Sequence, residues 1–210
     1  MQKNTYIENI KQEVIRHYEC CLINNTDQAQ QVGWKDKKSQ FLRFQILSEI
    51  ADLNNKSILD VGCGLGEFYN YLNLHRINVK YHGIDLSDKF IEKAKSLYPD
   101  GHFEQSDILT KYNKKFDYII SSGIFNVKND LTMSYFTIYI KKTIKKMYDL
   151  CIQGVAFNMI TTYVDFKVDS LYYSDPCKVF KFCKKITPYV VLRHDYPLFE
   201  YTIYLFKGLQ

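Results

Sequence analysis

The sequence has 210 residues, of which 46% are hydrophobic and 24% are charged; this suffices for one well-filled domain and is short for two. Aromatic residues make up 16% of the chain, with only four prolines and nine glycines, which excludes a disordered, linker-rich or collagen-like protein. The formal net charge of +5 permits an anionic partner but is too small for this length to indicate one.

The amino terminus is charged, with Lys3, Glu8, Lys11 and Glu13 preceding any apolar run. No later stretch reaches the length of a membrane span, so we expect a soluble, cytoplasmic chain without a membrane helix. The six cysteines are scattered without a C-x-x-C pair. This spacing predicts free thiols in a reducing compartment and no metal site.

The first quarter of the chain predicts two amphipathic helices joined by a polar loop. In the first helix, apolar side chains recur at steps of three and four residues: Ile7, Ile10, Val14, Tyr18 and Cys21. A polar stretch from Asn24 to Gln31 breaks that helix. A second stripe of the same spacing follows at Phe41, Phe44, Leu47, Ile50 and Leu53. We predict that residues 1–55 form a helical lid and that residues 56–210 form the main domain.

Beyond Asn54, short apolar runs alternate with segments of helical length. The runs are Ser57–Val61, Val79–Ile84, His102–Gln105, Phe116–Ile120 and Val155–Ile160. Runs that are apolar on both faces suit buried parallel strands with crossover helices between them. The last two runs, Tyr189–Leu192 and Phe199–Phe206, lie too close in sequence to pair other than antiparallel. The predicted fold is α/β: a Rossmann-like, doubly wound, mostly parallel sheet with an antiparallel carboxyl-terminal hairpin strand.

A glycine-rich turn directly follows the first predicted strand and precedes a helix. It reads G-x-G-x-G from Gly62 to Gly66, whereas dinucleotide-binding proteins carry G-x-G-x-x-G. Glu67 stands where the third glycine of that fingerprint would fall. A carboxylate in the first helical turn disfavours a pyrophosphate and tolerates a positively charged ligand. The turn therefore argues against NAD.

Acidic residues follow the next two strands. Asp85 precedes Leu86 at the end of the second strand, and Ser106, Asp107 and Ile108 follow the third. Open α/β sheets bind ligands at this edge, where one carboxylate can accept two ribose hydroxyls and the other an adenine amino group. Either aspartate alone could instead cap a helix, but capping does not require several strand ends to converge on one ligand.

The ordered set of Asp60-x-Gly62-x-Gly64-x-Gly66, Asp85, Asp107 and the run from Phe116 to Ser122 resembles class I S-adenosylmethionine (SAM)-dependent methyltransferases. The likeness extends from Ser57 to Phe206. It implies a methyltransferase with SAM as cofactor and S-adenosylhomocysteine (SAH) as product. The cofactor-binding residues that it implies are Arg43, Gln40, Asp60, Gly62, Cys63, Gly64, Gly66, Asp85, Leu86, Ser106, Asp107, Ile108, Ser121 and Ser122.

Each part of the cofactor has an implied partner. The glycine turn would lie beside the methionine part, and Asp60 would lie near its ammonium group. Asp85 would hold the ribose, Asp107 the adenine amino group, and Ser121 and Ser122 would border the sulfonium. By similarity to methyltransferases with helical lids, Gln40 or Arg43 would meet the SAM carboxylate, although Arg43 could also extend along its helix into solvent.

The catalytic residues are predicted from their places near strand ends. Methyl transfer is an in-line displacement that needs a general base only when the acceptor keeps its proton. His194 is the first candidate, since the adjoining Asp195 could fix its tautomer, and Tyr163 and Asp165 are the others. His194 could instead be a polar residue of a surface hairpin turn, and Asp165 an acid of a solvated loop. The residues predicted to contact the acceptor are Trp34, His17, Tyr18, Phe125, Asn126, Asp195 and Tyr196.

The acceptor is predicted to be a small polar molecule. The segment after the fourth strand lacks the prolines with which amino-methyltransferases grip a flipped base, so nucleic acid is disfavoured. The segments from Gly33 to Arg43 and from His194 to Pro197 are similar to small bacterial methyltransferases that modify surface polysaccharides. This resemblance implies a sugar, nucleotide-linked or phosphoramidate-type acceptor in a modestly basic pocket.

Two other functions remain open at this point. An RNA or protein methyltransferase would dock through two lysine stripes: Lys141, Lys142, Lys145 and Lys146, then Lys178, Lys181 and Lys185. A non-catalytic SAM-binding module would use the same cofactor residues without turnover. The sequence predicts no particular oligomeric state.

Overall fold

The computed structural model of the protein describes residues 2–110 and 112–208. Its helices are α1 (Gln2–Asn24), α2 (Gln28–Gln31), α3 (Lys37–Ser48), α4 (Glu67–Leu74), α5 (Asp88–Leu97), α6 (Met133–Leu150) and α7 (Pro176–Cys183). Its strands are β1 (Ser57–Val61), β2 (Lys80–Asp85), β3 (Phe103–Gln105), β4 (Phe116–Ser121), β5 (Cys151–Ile160), β6 (Val190–Arg193) and β7 (Glu200–Phe206). None of these helices is both long and apolar enough to cross a membrane.

The strands form one sheet in the order β3-β2-β1-β4-β5-β7-β6. The five strands from β3 to β5 run parallel, whereas β7 is antiparallel to both β5 and β6. The predicted doubly wound sheet with an antiparallel hairpin is therefore confirmed. All parallel strands end at one edge of the sheet, where the crossover connections leave room for a ligand.

Both faces of the sheet are covered by helices. Ile58 and Leu59 are neighbours in β1 and both have no exposed surface, because successive side chains of a strand point to opposite faces. Leu59 belongs to the hydrophobic cluster that includes Ile140 and Met147 of α6. Ile58 belongs to the cluster that includes Leu47 of α3. This two-sided burial explains why the parallel strands read as uninterrupted apolar runs.

The amino-terminal helices differ from prediction in their bounds. The second predicted helix ends at Ser48, although Ile50 and Leu53 continue its stripe and are buried in the same cluster. Their apolar character reflects burial of the chain after the helix has ended. The polar stretch contains the short α2, whose first backbone amides are capped by the Asp27 carboxylate. The division of the chain at residue 55 stays a prediction, and α3 packs against the sheet.

Candidate active site

A cavity of about 310 Å³ lies at the edge where the parallel strands end. Its floor is formed by the segments after β1, β2, β3 and β4. It is covered by α1, through Val14 and Tyr18, and by the loop from Val32 to Lys35. The sequence alternation of strand and helix thus places the segments that carry the predicted motifs around one space.

Most residues predicted to bind the cofactor line this cavity. They are Arg43, Gln40, Asp60, Gly62, Cys63, Gly64, Asp85, Leu86, Ser106, Asp107, Ile108 and Ser122. Gly66 and Ser121 are not part of the lining. Gly66 caps α4 at φ 80°, and a Cβ there would lie 2.7 Å from the ring of Phe103. The Ser121 hydroxyl donates to the Val61 carbonyl at 2.9 Å, so it joins β4 to the segment after β1.

The glycines of the turn permit close packing of the segments around the cavity. Gly62 has φ 75°, and a Cβ there would lie 2.2 Å from Cγ2 of Ile124. A Cβ on Gly64 would lie 3.1 Å from Cγ1 of Val32 in the covering loop. The sequence predicts that these glycines form a turn beside the cofactor. The structure adds contacts with two other chain segments as a reason.

Two carboxyl groups, the buried Asp60 and the half-buried Asp85, face the cavity, and no cationic side chain of residues 2–110 and 112–208 is bonded to them. Burial raises the pKa of Asp60 to about 7, and the negative charge of Asp85 adds to this shift, although the Tyr81 hydroxyl donates to Asp60 at 2.6 Å. Burial also raises the pKa of Asp85, despite backbone amides of Gly64 and Ser87 that donate to it at 3.0 Å. A cationic ligand would stabilise the ionised form of both carboxyl groups.

A second observation points to a polar ligand in the same cavity. The Ser122 hydroxyl is buried and lines the cavity, but it has no hydrogen-bond partner within residues 2–110 and 112–208. Buried hydroxyl groups are normally paired, so this one is available to a bound molecule or water. SAM carries two positively charged groups, an ammonium and a sulfonium. The carboxyl groups of Asp60 and Asp85 and the hydroxyl group of Ser122 suit a ligand of positive charge.

Sequence reasoning missed a charged partner of Asp107. The Lys11 ammonium of α1 is 2.6 Å from Oδ2 of Asp107, and the Leu109 backbone amide donates to Oδ1 at 2.8 Å. Lys11 is only 4% exposed. It lies on the same helical face as Ile7 and Val14, and a charge within an apolar stripe was the available signal. The predicted adenine contact would therefore share Asp107 with Lys11.

Arg43 has an acidic partner that sequence reasoning also missed. Its guanidinium donates to the Glu200 carboxylate at 2.7 to 3.0 Å and stacks on Trp34 at 4.0 Å from the ring centroid. The Asn158 side chain donates to Glu200 at 2.6 Å and accepts the backbone amide of Gly123 at 2.8 Å. Arg43, predicted to meet the SAM carboxylate, is thus bound to a buried carboxylate of the protein itself.

Comparison with known proteins gives the family of the chain. Residues 52–177 match the family described as Methyltransferase domain. The Mycobacterium tuberculosis (strain ATCC 25618 / H37Rv) protein named "Putative methyltransferase Rv1506c" is 35% identical over 156 residues, which cover 72% of this chain and 93% of that protein. The chain belongs to this methyltransferase family. The methyltransferase uses SAM as its cofactor, with SAH as the product.

Solved structures share the fold of the methyltransferase at low sequence identity. Magnesium protoporphyrin IX methyltransferase from Synechocystis PCC 6803, with bound SAM, has a TM-score of 0.66, 13% identity and 97% coverage of both chains. N-methyltransferase NodS from Bradyrhizobium japonicum WM9, in complex with SAH, has a TM-score of 0.61 and 15% identity, covering 92% of this chain and 97% of that one. These likenesses confirm the predicted fold class.

Three residues predicted to contact the acceptor line the cavity of the methyltransferase, namely Trp34, Tyr18 and Asn126. The other four predicted residues lie elsewhere, for reasons visible in their contacts. Phe125 is fully buried against Phe157, and His17 lines a separate groove beside Lys128 and Ser170. The Tyr196 hydroxyl lies 2.9 Å from the Thr202 hydroxyl, and Asp195 accepts from Arg193 at 2.8 Å. The cavity is therefore not lined by His17, Phe125, Asp195 or Tyr196.

The three residues predicted as catalytic do not line the cavity. His194 follows β6, which is separated from β5 by β7, so it lies two strand spacings, or about 10 Å, from the end of β5. Asp195 pairs with Arg193 and not with His194. Tyr163 and Asp165 are exposed in the loop after β5, where the Tyr163 ring lies 5.9 Å from that of His194. The structure brings Tyr163 and His194 near each other, and none of the three residues lines the cavity.

Proposed function

We propose that this methyltransferase transfers the methyl group of SAM to an oxygen or nitrogen atom of a small polar acceptor. One observation carries the proposal: twelve of the fourteen predicted cofactor residues and three predicted acceptor residues, Tyr18, Trp34 and Asn126, line the same cavity. The cavity is covered by α1 and the loop from Val32 to Lys35, which favours a small acceptor over a macromolecule.

The proposed cofactor contacts follow the charges of the site. Asp60 and Asp85 carry negative charge for the ammonium group and the ribose hydroxyls, and Ile108 and Asp107 would contact the adenine. When bound, SAM supplies an electrophilic methyl group. The protein contributes alignment and exclusion of water, because Val14, Tyr18 and the loop from Val32 to Lys35 cover the cavity.

The acceptor is proposed to react without a histidine base. Among the described residues that line the cavity, none is a histidine. Burial raises the pKa of Tyr18 well above its usual range, so its hydroxyl stays protonated and can donate a hydrogen bond. Glu200 accepts from Arg43 and Asn158. These groups position an acceptor. An amine that is already nucleophilic needs no general base.

The charge of the cavity argues against a phosphorylated or phosphoramidate-type acceptor. The described acidic residues of the lining are Asp60, Glu67, Asp85, Asp107 and Glu200, and the basic ones are Lys35 and Arg43. Arg43 is bound to Glu200. The lining is therefore acidic, where the sequence resemblance implied a modestly basic pocket. An uncharged sugar or nucleoside hydroxyl, or an amine, suits this negative charge. A role in polysaccharide synthesis and a cytoplasmic location stay proposals.

The lysine stripe on α6 does not favour a macromolecular acceptor. On α6, Lys141, Lys142 and Lys145 are exposed, whereas Tyr139 and Thr143 of the same helix are buried and line the cavity. Docking through those lysines would place a nucleic acid or protein on the face of α6 that is turned away from the cavity. An RNA or protein methyltransferase remains the alternative, and its binding would weaken steeply with salt.

Cofactor binding is tested by thermal unfolding with SAH, SAM and NAD. At a hundredfold excess over its dissociation constant, a ligand of the folded state adds about 2.7 kcal/mol, which is roughly 5 to 10 °C for a chain of this size. We expect this shift with SAH and SAM and its loss in Asp85→Ala. A shift with NAD alone would contradict the proposal.

Methyl transfer is tested by SAH release from SAM with amine-, hydroxyl- and phosphate-bearing small molecules. Asn126→Ala is expected to lower kcat/KM at least tenfold while the Kd for SAH stays within twofold. His194→Ala separates the proposal from the sequence-based prediction, because a tenfold fall in turnover with SAH affinity retained would restore His194 as the base. Binding of SAH without turnover of any class would favour the non-catalytic module.

A further inference from the structure

Three potential metal ligands meet at the β3 edge of the sheet, outside the cavity. They are His82 of β2, His102 just before β3, and Glu104 within β3. One nitrogen or oxygen atom from each residue lies within 4.8 Å of the other two. No residue of this cluster lines the cavity described above.

The strand register brings these side chains together. In the parallel pair of β2 and β3, Gly83 lies opposite Phe103 and Ile84 lies opposite Glu104, so the preceding residues His82 and His102 are neighbours. Their ring centroids are 4.1 Å apart. Glu104 lies two residues beyond His102 and therefore on the same face. Nε2 of His82 is already 3.1 Å from Oε2 of Glu104.

The exposure of the three side chains suits an ion that enters from solvent. His82 is buried, His102 is exposed and Glu104 is half-buried, so the cluster is open on one side. Lys114 is the opposing positive charge near His82. The Tyr112 ring lies 6.0 Å from that of His82, and its buried hydroxyl has no hydrogen-bond partner in the described part of the chain.

We propose that His82, His102 and Glu104 bind a Zn²⁺ ion, with water as a fourth ligand. Two imidazoles and one carboxylate are a donor set that zinc accepts, at about 2.0 to 2.2 Å from the metal. Tetrahedral ligands at that radius are about 3.3 Å apart, so separations of up to 4.8 Å must shorten by about 1.5 Å at most, which side-chain rotation can supply. His102 is exposed and Glu104 is half-buried, so both side chains have room to move.

The site would connect zinc to the cofactor edge. His82 lies three residues before Asp85, and Glu104 lies three residues before Asp107. An ion held between β2 and β3 would fix the two strand ends that carry these carboxylates. Zinc and SAH would then raise each other's affinity by the same factor. Zinc binding itself does not depend on the proposed acceptor or on turnover.

The direct test is isothermal titration of tag-free, chelator-treated protein with zinc chloride. We expect one ion per chain with a Kd of 10 µM or tighter, and at least a tenfold loss of affinity in both His102→Ala and Glu104→Gln. Neither side chain is fully buried, so these variants should keep the thermal midpoint of the zinc-free protein. The matched control is His75→Ala, which removes an exposed histidine outside the cluster and should bind zinc like the parent.

Two results would overturn the proposal. One is no saturable binding at 100 µM zinc chloride. The other is binding that persists unchanged in both variants, which would place the ion elsewhere. Thermal unfolding gives a second readout, since an ion held by the folded state raises the midpoint of the parent and of His75→Ala but not of the two cluster variants.

Discussion

Removal of Arg43 tests the buried ion pair beside Trp34. The side chains of Arg43 and Glu200 are only 11% and 4% exposed, and their closest nitrogen and oxygen atoms are 2.7 Å apart. Arg43→Met leaves the Glu200 carboxylate buried with the Asn158 amide as its remaining side-chain donor. Breaking such a pair costs about 3 to 5 kcal/mol of unfolding free energy. For a chain of this length, the thermal midpoint should fall by roughly 6 to 20 °C.

The assay is urea denaturation of Arg43→Met, Glu200→Gln and the double variant, followed by thermal unfolding. Loss of stacking on Trp34 contributes about 1 kcal/mol to the arginine variant alone, and the double-mutant cycle separates it from the coupling between the two charges. The matched control is Arg193→Met, because Arg193 is 28% exposed and its partners Glu49 and Asp195 are 38% and 63% exposed, so each pair should contribute about 1 kcal/mol or less. If Arg43→Met destabilised no more than this control, the reasoning from burial would be refuted.

Three further predictions concern the turn, the buried carboxylate and the helix that covers the cavity. In urea denaturation, Gly62→Ala should lower the unfolding free energy by about 2 to 5 kcal/mol, since it combines a left-handed backbone with a steric overlap. The control Gly208→Ala should be neutral, because its Cβ would meet nothing within 4 Å. The pKa of Asp60 rises on folding from 3.8 to about 7, so the folded state holds a proton that the unfolded state releases, and stability should fall as the pH rises through this window. Asp60→Asn should flatten that slope in thermal unfolding between pH 4 and pH 8, and an unchanged slope would exclude Asp60 as its source. Lys11→Met frees Asp107 from its charged partner, so calorimetry should give an unchanged or tighter Kd for SAH; a tenfold weaker Kd would instead show that Lys11 supports the cofactor.

The amino-acid sequence by itself determined the fold and the edge at which the site lies. The first strand was predicted with the bounds Ser57–Val61 that the structure has, because a fully buried parallel strand is apolar on both faces. Asp85 ends β2 and Asp107 follows β3 of the same parallel set, so local pattern alone placed both at the ligand edge. These inferences needed only short-range periodicity and the known direction of crossover connections.

The tertiary structure decided which side chains meet across that edge. The contacts of Lys11 with Asp107 and of Arg43 with Glu200 join residues far apart in the chain, and no local periodicity encodes such partners. His194 was expected near the cavity because its strand ends at the same edge. Because β7 lies between β5 and β6, His194 is two strands away from β5. The hydrophobic pattern of a strand is the same whichever neighbour it takes, so strand order is decided only by the packing of the whole sheet.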